Sequence, residues 1–305
     1  MEKQKFTTLL CIDPAWFNTR LDRYLFAKFP HYSRTYFQEL IDEGHVLVNS
    51  RNCKSNYQLK SGDIIGITFI IKQYNLEPMP VDFQIIDEQE DFLIINKPAG
   101  LMVHPTLSAA NQTSLVNGLL YYFKEIQNFA DKERPGIVHR LDKNTSGLLI
   151  IARNQSAQKE LSNMFKSRHI HKKYIALVHK HPNATGTIDT PIGRDPRERH
   201  KMSIFGIEHR SAITHYKVLA RYNDCSLLQA TIVTGRTHQI RVHCASIGHS
   251  IVGDTVYGTA SPLIARQALH SWHIAFDFKG KSYVYTCPIP DDFKQLIKII
   301  NQKKT

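Results

Sequence analysis

Residues 139–147 read His-Arg-Leu-Asp-Lys-Asn-Thr-Ser-Gly, and the apolar run Leu-Leu-Ile-Ile-Ala follows directly at 148–152. This pattern predicts a buried strand that the chain enters through a polar turn. The turn holds one carboxylate, Asp142, beside one guanidinium, Arg140. An acid just outside a buried strand can be partly desolvated and still face a cleft, where carboxylates act as nucleophiles or bases. On spacing alone, an Asp142 side chain that merely caps the turn is an equally good interpretation.

The length of 305 residues suits one large domain, or a small domain together with a larger one. With 42% hydrophobic and 22% charged residues, the composition is that of an ordinary globular protein, and no apolar run is long enough to span a membrane. We expect no signal peptide, because Asp13 and Pro14 follow the short apolar patch at 9–12. Five scattered cysteines without a Cys-x-x-Cys pair indicate free thiols and a cytoplasmic location.

The positive charge of the chain is unevenly distributed. Lys and Arg number 39 against 27 Asp and Glu, a net charge of +12. Residues 133–210 alone hold 15 basic and 7 acidic residues, a net +8, together with seven histidines. A local positive field attracts polyanions through phosphate neutralisation and counterion release. Charge therefore favours a nucleic-acid partner over a basic face that is only solvated.

The N-terminal quarter has the pattern of a small module. Residues 1–17 are predicted as an arm of unclear structure. Leu21, Leu25 and Phe29 then recur at helical spacing, and Ser33 is placed to cap a second helix that Gly44 ends. Short strands are predicted at 46–48 and 64–71. Six basic residues are candidates for phosphate contacts on this module: Arg20, Arg23, Arg34, Arg51, Lys54 and Lys60.

This module, residues 18–71, resembles the S4 RNA-binding domain. The resemblance is carried by the segments at 20–25 (Arg-Leu-Asp-Arg-Tyr-Leu), 33–34 (Ser-Arg), 45–49 (His-Val-Leu-Val-Asn) and 59–63 (Leu-Lys-Ser-Gly-Asp). Asn18-Thr19 stand where many S4 domains carry a glycine, so the start of the first helix is the part that departs from the pattern.

Residues 72–82 carry two prolines and no periodicity, which predicts a linker. From residue 83 to 305 strands dominate. Hairpins are predicted over 214–233 and 274–286, and helices over 110–125, 156–167 and 293–300. Strand runs with interspersed helices indicate an α+β domain built on a largely antiparallel sheet.

Three further stretches accompany the central motif: Lys97-Pro98-Ala99-Gly100, which leads to His104; Lys172-Lys173-Tyr174; and the segment from Thr234 to His243, followed by Gly253-Asp254. We expect the third to enter a helix at Gly235 and to hold Arg241 beside a buried face formed by Ile240, Cys244 and Ile247. His238, His243, Cys244 and His249 match no zinc spacing, so no metal site is predicted.

Taken together, these stretches resemble the RluA family of pseudouridine synthases over residues 18 to about 290. The strongest element is residues 134–149, Arg-Pro-Gly-Ile-Val-His-Arg-Leu-Asp-Lys-Asn-Thr-Ser-Gly-Leu-Leu. The resemblance implies a small S4 domain and a larger catalytic domain on a mostly antiparallel mixed sheet with flanking helices. It also implies the isomerisation of uridine to pseudouridine in RNA.

The resemblance implies roles for four residues. Asp142 would be the nucleophile, and Arg140 would fill the space that a flipped uridine leaves. Tyr174 would stack near the uracil and assist deprotonation at C5, and Arg241 would pair with Asp142. RNA contacts are also predicted from His139, Arg236 and His238. No nucleotide fingerprint is present in the sequence, so no cofactor is expected.

The resemblance also bears on which RNA is the substrate. Family members with an N-terminal S4 domain mostly act on large-subunit ribosomal RNA, so the resemblance implies 23S rRNA, free or in the assembling subunit, with the helix 69 region favoured. Other ribosomal sites and transfer RNA stay open. We expect a monomer without a membrane partner. The rival functions are a non-catalytic RNA-binding protein and a glycosidase that releases the base from nucleosides.

Overall fold

The computed structural model describes residues 4–30, 32, 34–71, 76–105, 112–132, 134–198 and 201–302, and Ser33 lies outside these ranges. The chain divides into two compact units, Met1–Asn75 and Leu76–Thr305. The first unit contains, in chain order, β1 (Gln4–Cys11), a 3-10 turn (Pro14–Trp16), α1 (Leu21–Lys28), α2 (Arg34–Asp42), β2 (Val46–Val48), β3 (Arg51–Asn52) and β4 (Ile64–Ile71).

The first unit is an antiparallel sheet in the order β1-β4-β2-β3, packed with α1 and α2. Strand β1 pairs with β4 along its whole length, from Gln4 opposite Ile71 to Cys11 opposite Ile64. Residues 4–11, predicted as part of an arm of unclear structure, are therefore an edge strand. Their partner lies some sixty residues downstream, so no local periodicity reports the pairing.

Helices α1 and α2 bury the stripes that their spacing predicts. Leu21 and Leu25 of α1 and Phe37 and Leu40 of α2 are all at most 1% exposed. Gly44 follows α2 with φ +75°, the left-handed conformation in which glycine ends a helix.

The second unit is built on a nine-stranded sheet in the order β5-β6-β7-β15-β8-β14-β13-β9, with β16 beside β15, and a three-stranded sheet in the order β11-β10-β12. Its strands are β5 (Gln84–Glu88), β6 (Phe92–Lys97), β7 (Ser146–Ala152), β8 (His171–His179), β9 (Thr185–Asp189), β10 (Ile192–Arg194), β11 (Met202–Ser203), β12 (Ile207–Arg210), β13 (Ile213–Arg221), β14 (Cys225–Ile232), β15 (Leu269–Phe278) and β16 (Lys281–Thr286). Its helices are α3 (Leu115–Tyr122), α4 (Gln155–Lys166), α5 (Gln239–Ser246) and α6 (Asp291–Gln302), and a 3-10 turn spans Lys124–Asn128.

This architecture confirms the predicted α+β class with a mostly antiparallel mixed sheet. Strands β7 and β15 pair in parallel, and the other strand pairs of this sheet are antiparallel. Every residue of β7 is buried, which explains why its sequence is a continuous apolar run instead of an alternating one.

The starts of four helices differ from the sequence predictions. Helix α3 begins at Leu115 instead of residue 110, and α6 begins at Asp291 instead of residue 293. Helix α4 begins after Asn154, not at Ser156, because the Asn154 side chain accepts the N–H of Ala157. Asparagine caps helices as well as serine does. Helix α5 begins after His238, whose backbone is left-handed at φ +56°, and not at Gly235. Ile247, expected on its buried face, follows the helix and is 38% exposed.

The parallel junction of β7 and β15 positions the predicted site. Gly147 lies opposite Ser271, and Ser271 lies opposite Tyr174 in β8. A Cβ on Gly147 would lie 2.2 Å from the carbonyl oxygen of Ser271, and the residue has φ +116°, so the close approach needs glycine. The turn that carries Asp142 thereby enters the sheet two strands away from Tyr174.

Candidate active site

A cavity of about 510 Å³ in the second unit brings all seven predicted site residues of that unit together. The segments that line it include the turn before β7, the start of β8, the C-terminal half of α4, and the stretch that leads into α5. The side chains on its wall include Arg140, Asp142, Lys172, Tyr174, His238 and Arg241.

The Asp142 carboxylate is 20% exposed, and its Oδ2 accepts a hydrogen bond from Nη1 of Arg241 at 3.1 Å. The turn is closed by backbone, since the N–H of Thr145 donates to the carbonyl oxygen of Asp142. Within the residues that the structure describes, no backbone N–H donates to this carboxylate. The turn-cap interpretation of Asp142 therefore has no support in the geometry, and the side chain faces the cavity.

A second carboxylate, that of Asp254, also binds Arg241. Its Nε donates to Oδ2 of Asp254 at 2.7 Å and its Nη2 to Oδ1 at 2.9 Å, and Asp254 is fully buried. Burial alone would lower the pKa of Arg241, but the hydrogen bonds and charge of Asp254, joined by Asp142, outweigh burial and raise it. Burial alone would raise the pKa of Asp254, but Arg241 lowers it. The pair is therefore ionised, and one guanidinium spans both carboxylates.

His238 lies beside the same carboxylate, with Nε2 at 3.9 Å from Oδ1 of Asp142. Its Nδ1 is 2.8 Å from the hydroxyl of Tyr257, over whose ring the Arg241 guanidinium also lies. Burial lowers the pKa of His238 and outweighs the opposing effect of Asp142. A neutral imidazole thus borders the carboxylate, at a position for which the sequence predicted an RNA contact.

The buried Tyr174 side chain forms part of the cavity wall. It lies on β8, the strand next to β15. Burial raises the pKa of its phenol well above the usual range, and the charge of Asp142 adds to this, although a hydrogen bond with Ser271 opposes it. An uncharged phenol therefore lies beside the carboxylate at neutral pH.

Arg140 is on the exposed rim of the cavity, with Nη1 at 3.3 Å from Nε2 of His104. Burial lowers the pKa of His104 to about 4, and the charge of Arg140 adds to the effect. The imidazole is therefore neutral at pH 7 and can accept from the guanidinium.

His139 and Arg236, two further predicted RNA contacts, already have protein partners. Nε2 of His139 accepts the N–H of Ile150 at 2.9 Å, and its ring stacks on Phe165 at 4.3 Å between centroids. His139 therefore contacts both β7, through Ile150, and α4, through Phe165. Arg236 lines the cavity and donates from Nε to the carbonyl oxygen of Ser211 at 2.9 Å.

The six basic candidates of the first unit separate into two sets. Arg20 and Arg34 both donate to the fully buried Asp22, at distances of 2.7 to 3.0 Å. Gln38 donates to the same carboxylate. The other four side chains are exposed: Arg23, Arg51, Lys54 and Lys60.

Comparison with known proteins decides the family. The family model for RNA pseudouridylate synthase matches residues 91–246, and that for the S4 domain matches residues 19–65. The chain belongs to the RNA pseudouridylate synthase family. It is an RNA pseudouridine synthase with an S4 RNA-binding domain.

Relatives of this family match nearly the whole chain. An uncharacterized RNA pseudouridine synthase of Bacillus subtilis is 38% identical over 287 residues, which cover 92% of this chain and 93% of the relative. The ribosomal large subunit pseudouridine synthase D of Escherichia coli is 38% identical over 299 residues, which cover 92% and 90%. The human RNA pseudouridylate synthase domain containing 1 superposes with a TM-score of 0.57 at 27% identity, over 72% of this chain and 94% of that one.

Two buried site residues of this synthase were not singled out from the sequence. The sequence gives no role to Asp254, because nothing in its spacing shows that it meets Arg241. Lys97 is fully buried, and its Nζ donates to the carbonyl oxygens of Pro98, Leu101 and Lys143. It thereby joins its own turn to the turn that carries Asp142. A lysine two residues after the apolar run 92–95 is the signal that could have indicated it.

The described part of the chain holds no cluster of three or more His, Cys, Asp or Glu side chains that could bind a metal ion. Among its helices, none is long and apolar enough to cross a membrane.

Proposed function

We propose that Asp142 is the nucleophile of this RNA pseudouridine synthase and that its substrate is a uridine flipped out of large-subunit ribosomal RNA. The observation that supports this most strongly is the partly exposed Asp142 carboxylate, held by an Arg241 that Asp254 anchors in the interior. The guanidinium fixes the orientation of the carboxylate on the cavity wall, where a carboxylate can act as a nucleophile.

The reaction breaks the bond between C1′ and N1 and joins C1′ to C5. In one route the carboxylate of Asp142 bonds to C1′ while N1 keeps the electron pair of the broken bond. The transition state is oxocarbenium-like, as in glycoside hydrolysis, and a neighbouring carboxylate stabilises it. The detached uracil turns, C5 displaces the carboxylate from C1′, the C5 proton leaves and N1 gains a proton. In a second route the carboxylate adds to the uracil ring, the C1′–N1 bond breaks and the C1′–C5 bond forms while the adduct persists, and loss of the C5 proton with expulsion of the carboxylate restores the ring as N1 gains a proton. Both routes use the same residue.

Arg140 is proposed to occupy the space that the uridine leaves in the RNA. Extrusion of a base costs a few kcal/mol, and a planar guanidinium can stack in the gap and offset part of that cost. The exposed position of Arg140 on the rim, next to Asp142 on the wall, supports this role. Its contact with a neutral His104 gives the guanidinium a resting position that it can leave without breaking an ion pair.

Tyr174 is proposed to pack against the uracil as an uncharged group. Since burial keeps its phenol protonated, the oxygen of Tyr174 is a weak base. The carboxylate of Asp142, once released from C1′, is the better acceptor for the C5 proton. Tyr174 would then assist deprotonation by holding the ring in place.

The substrate class is proposed from the S4 domain and from relatives named as ribosomal large subunit pseudouridine synthase D. We propose 23S rRNA, with the helix 69 stem-loop as the first site to examine. The test is carbodiimide primer extension on total RNA from cells with and without the gene. Stops in helix 69 that vanish with the gene support the proposal. Loss of stops only elsewhere in 23S rRNA would reject helix 69, and loss only in transfer RNA would reject the ribosomal substrate.

A further inference from the structure

Lys172 is a largely buried cation in the cavity wall, and it has no anionic or hydrogen-bonding partner among the described residues. Its residue is 7% exposed, and its Nζ lies 5.1 Å from the centroid of the Phe165 ring. In the part of the chain that the structure describes, no carboxylate lies within ion-pair distance of Nζ and no acceptor hydrogen-bonds to it. Burial lowers the pKa of Lys172 to about 8, so the ammonium is still mostly charged at pH 7.

The other buried cations of this unit are partnered. Lys97 donates to three carbonyl oxygens, Arg241 to two carboxylates, and Arg266 to Asp292. A buried charge is costly unless it is paired or hydrogen-bonded. The side chain of Lys172 is largely desolvated, but its Nζ is not among the fully buried atoms, so the ammonium reaches the cavity. An ammonium in this position, without an acceptor from the described residues, indicates an acceptor that arrives with the ligand. The ammonium of Lys172 therefore favours the binding of an anion beside it.

The surroundings of Lys172 select a phosphate. Gly235 leaves space beside the ammonium, since a Cβ there would be 3.6 Å from Nζ, the nearest atom to it. The same cavity is lined by Arg140, Lys166 and Arg236, so its wall is basic at several points besides Asp142. RNA supplies one negative charge with every nucleotide, and a uridine that enters this cavity brings its own phosphates with it.

We propose that Lys172 binds a phosphate oxygen of the nucleotide that enters the cavity, on a part of the wall separate from Asp142. The inference rests on the proposed function, because it needs the uridine to enter this cavity. The contact is a charge-assisted hydrogen bond in a desolvated position. It anchors the RNA strand beside the flipped uridine, whereas Asp142 acts on the uridine itself.

Lys173 is the matched control for a test of this contact. It is the next residue on β8, so its side chain points to the opposite face of the sheet and does not line the cavity. Lys172→Met and Lys173→Met remove the same charge from the same strand and keep an unbranched apolar stem. Lys172→Arg restores the charge.

The experiment measures the dissociation constant of the full-length protein by fluorescence anisotropy with the helix 69 stem-loop RNA. If the wild type does not modify that stem-loop, the probe is instead the RNA segment around the uridine that primer extension identifies. A second series of probes carries one uncharged methylphosphonate, on the 5′ or the 3′ side of the target uridine, with the neighbouring sugar 2′-O-methylated in every probe. Thermal melting checks that each variant is folded.

We expect Lys172→Met to weaken binding of the charged probe by about 10-fold to 100-fold. Lys173→Met should change it less than 3-fold. One methylphosphonate should weaken binding to the wild type by a similar factor, and should have no further effect on Lys172→Met. Lys172→Arg should recover most of the affinity.

Two results would overturn the proposal: wild-type affinity in Lys172→Met, or a full methylphosphonate effect in Lys172→Met at each position. Wild-type affinity together with a lowered kcat would place the ammonium on the uracil instead. A folded wild type that modifies no RNA would refute the proposed function, and this is measured separately from binding.

Discussion

Arg241 holds Asp142 from inside the protein: its Nη1 donates to Oδ2 of the carboxylate at 3.1 Å, and the arginine side chain is only 6% exposed. The other two nitrogens that donate from this guanidinium are taken by the buried Asp254. The orientation of Asp142 therefore depends on a residue that does not line the cavity. Removing that residue should disturb the reaction more than the binding of RNA.

Asp254→Asn tests this dependence. The variant replaces an ionic contact with a neutral amide beneath Arg241, and breaking a buried ion pair costs about 3–5 kcal/mol of stability. We expect kcat for pseudouridine formation to fall at least 10-fold while the dissociation constant for RNA changes little. The measurement is single-turnover tritium release from RNA labelled at C5 of uridine.

Asp292→Asn is the control for this variant. Asp292 binds Arg266 through the same two arginine nitrogens, Nε at 2.7 Å and Nη2 at 2.9 Å, but its side chain is 48% exposed and does not line the cavity that holds Asp142. A similar loss of kcat in both variants would show that Asp254 matters only through general stability.

Lys172→Met should be more stable than the wild type at neutral pH. The pKa of this lysine is about 8 in the folded protein against an ordinary 10.5, so protonation favours the unfolded chain. The penalty is fully present below pH 8 and is lost as the pH rises to 10.5. Urea unfolding at pH 7 and pH 10.5 should show a stability advantage for the variant at pH 7 that shrinks at pH 10.5. An equal advantage at both values would contradict the buried, charged state.

Two arginines of the first unit should behave differently when neutralised. Arg23 is exposed, so Arg23→Gln should leave urea unfolding unchanged. If it contacts a duplex phosphate, the slope of log affinity against log salt should become less negative by about 0.9. Arg34 donates twice to the buried Asp22, so Arg34→Gln should lower stability by about 1–3 kcal/mol. Equal effects of the two variants on stability would contradict the buried Asp22 cluster.

The sequence was sufficient for the elements that are decided locally. The apolar run after Ser146 is a strand, the stripes of α1 and α2 are buried, and the predicted hairpins are β13 with β14 and β15 with β16. These features depend on periodicity and turn residues over ten to twenty positions. The motif around Asp142 also predicted the family.

Long-range partners could not be predicted in the same way. Strand β1 pairs with β4 across some sixty residues, and Asp254 meets Arg241 through a loop whose path no spacing rule gives. The sequence marks Lys172 only as a neighbour of Tyr174, because a lysine in a strand is ordinarily solvated. Its significance follows from burial without an anionic or hydrogen-bonding partner among the described residues, which is a property of the folded molecule alone.

The role of Asp142 as the nucleophile is tested most directly by the Asp142→Asn variant. RNA binding and pseudouridine formation are measured on the same RNA. The substitution keeps the size of the side chain and removes its charge, so the stem-loop should bind within about 3-fold of the wild type. Pseudouridine formation should be undetectable in overnight incubations. If the Asp142→Asn protein still converts uridine to pseudouridine, this carboxylate is not the nucleophile.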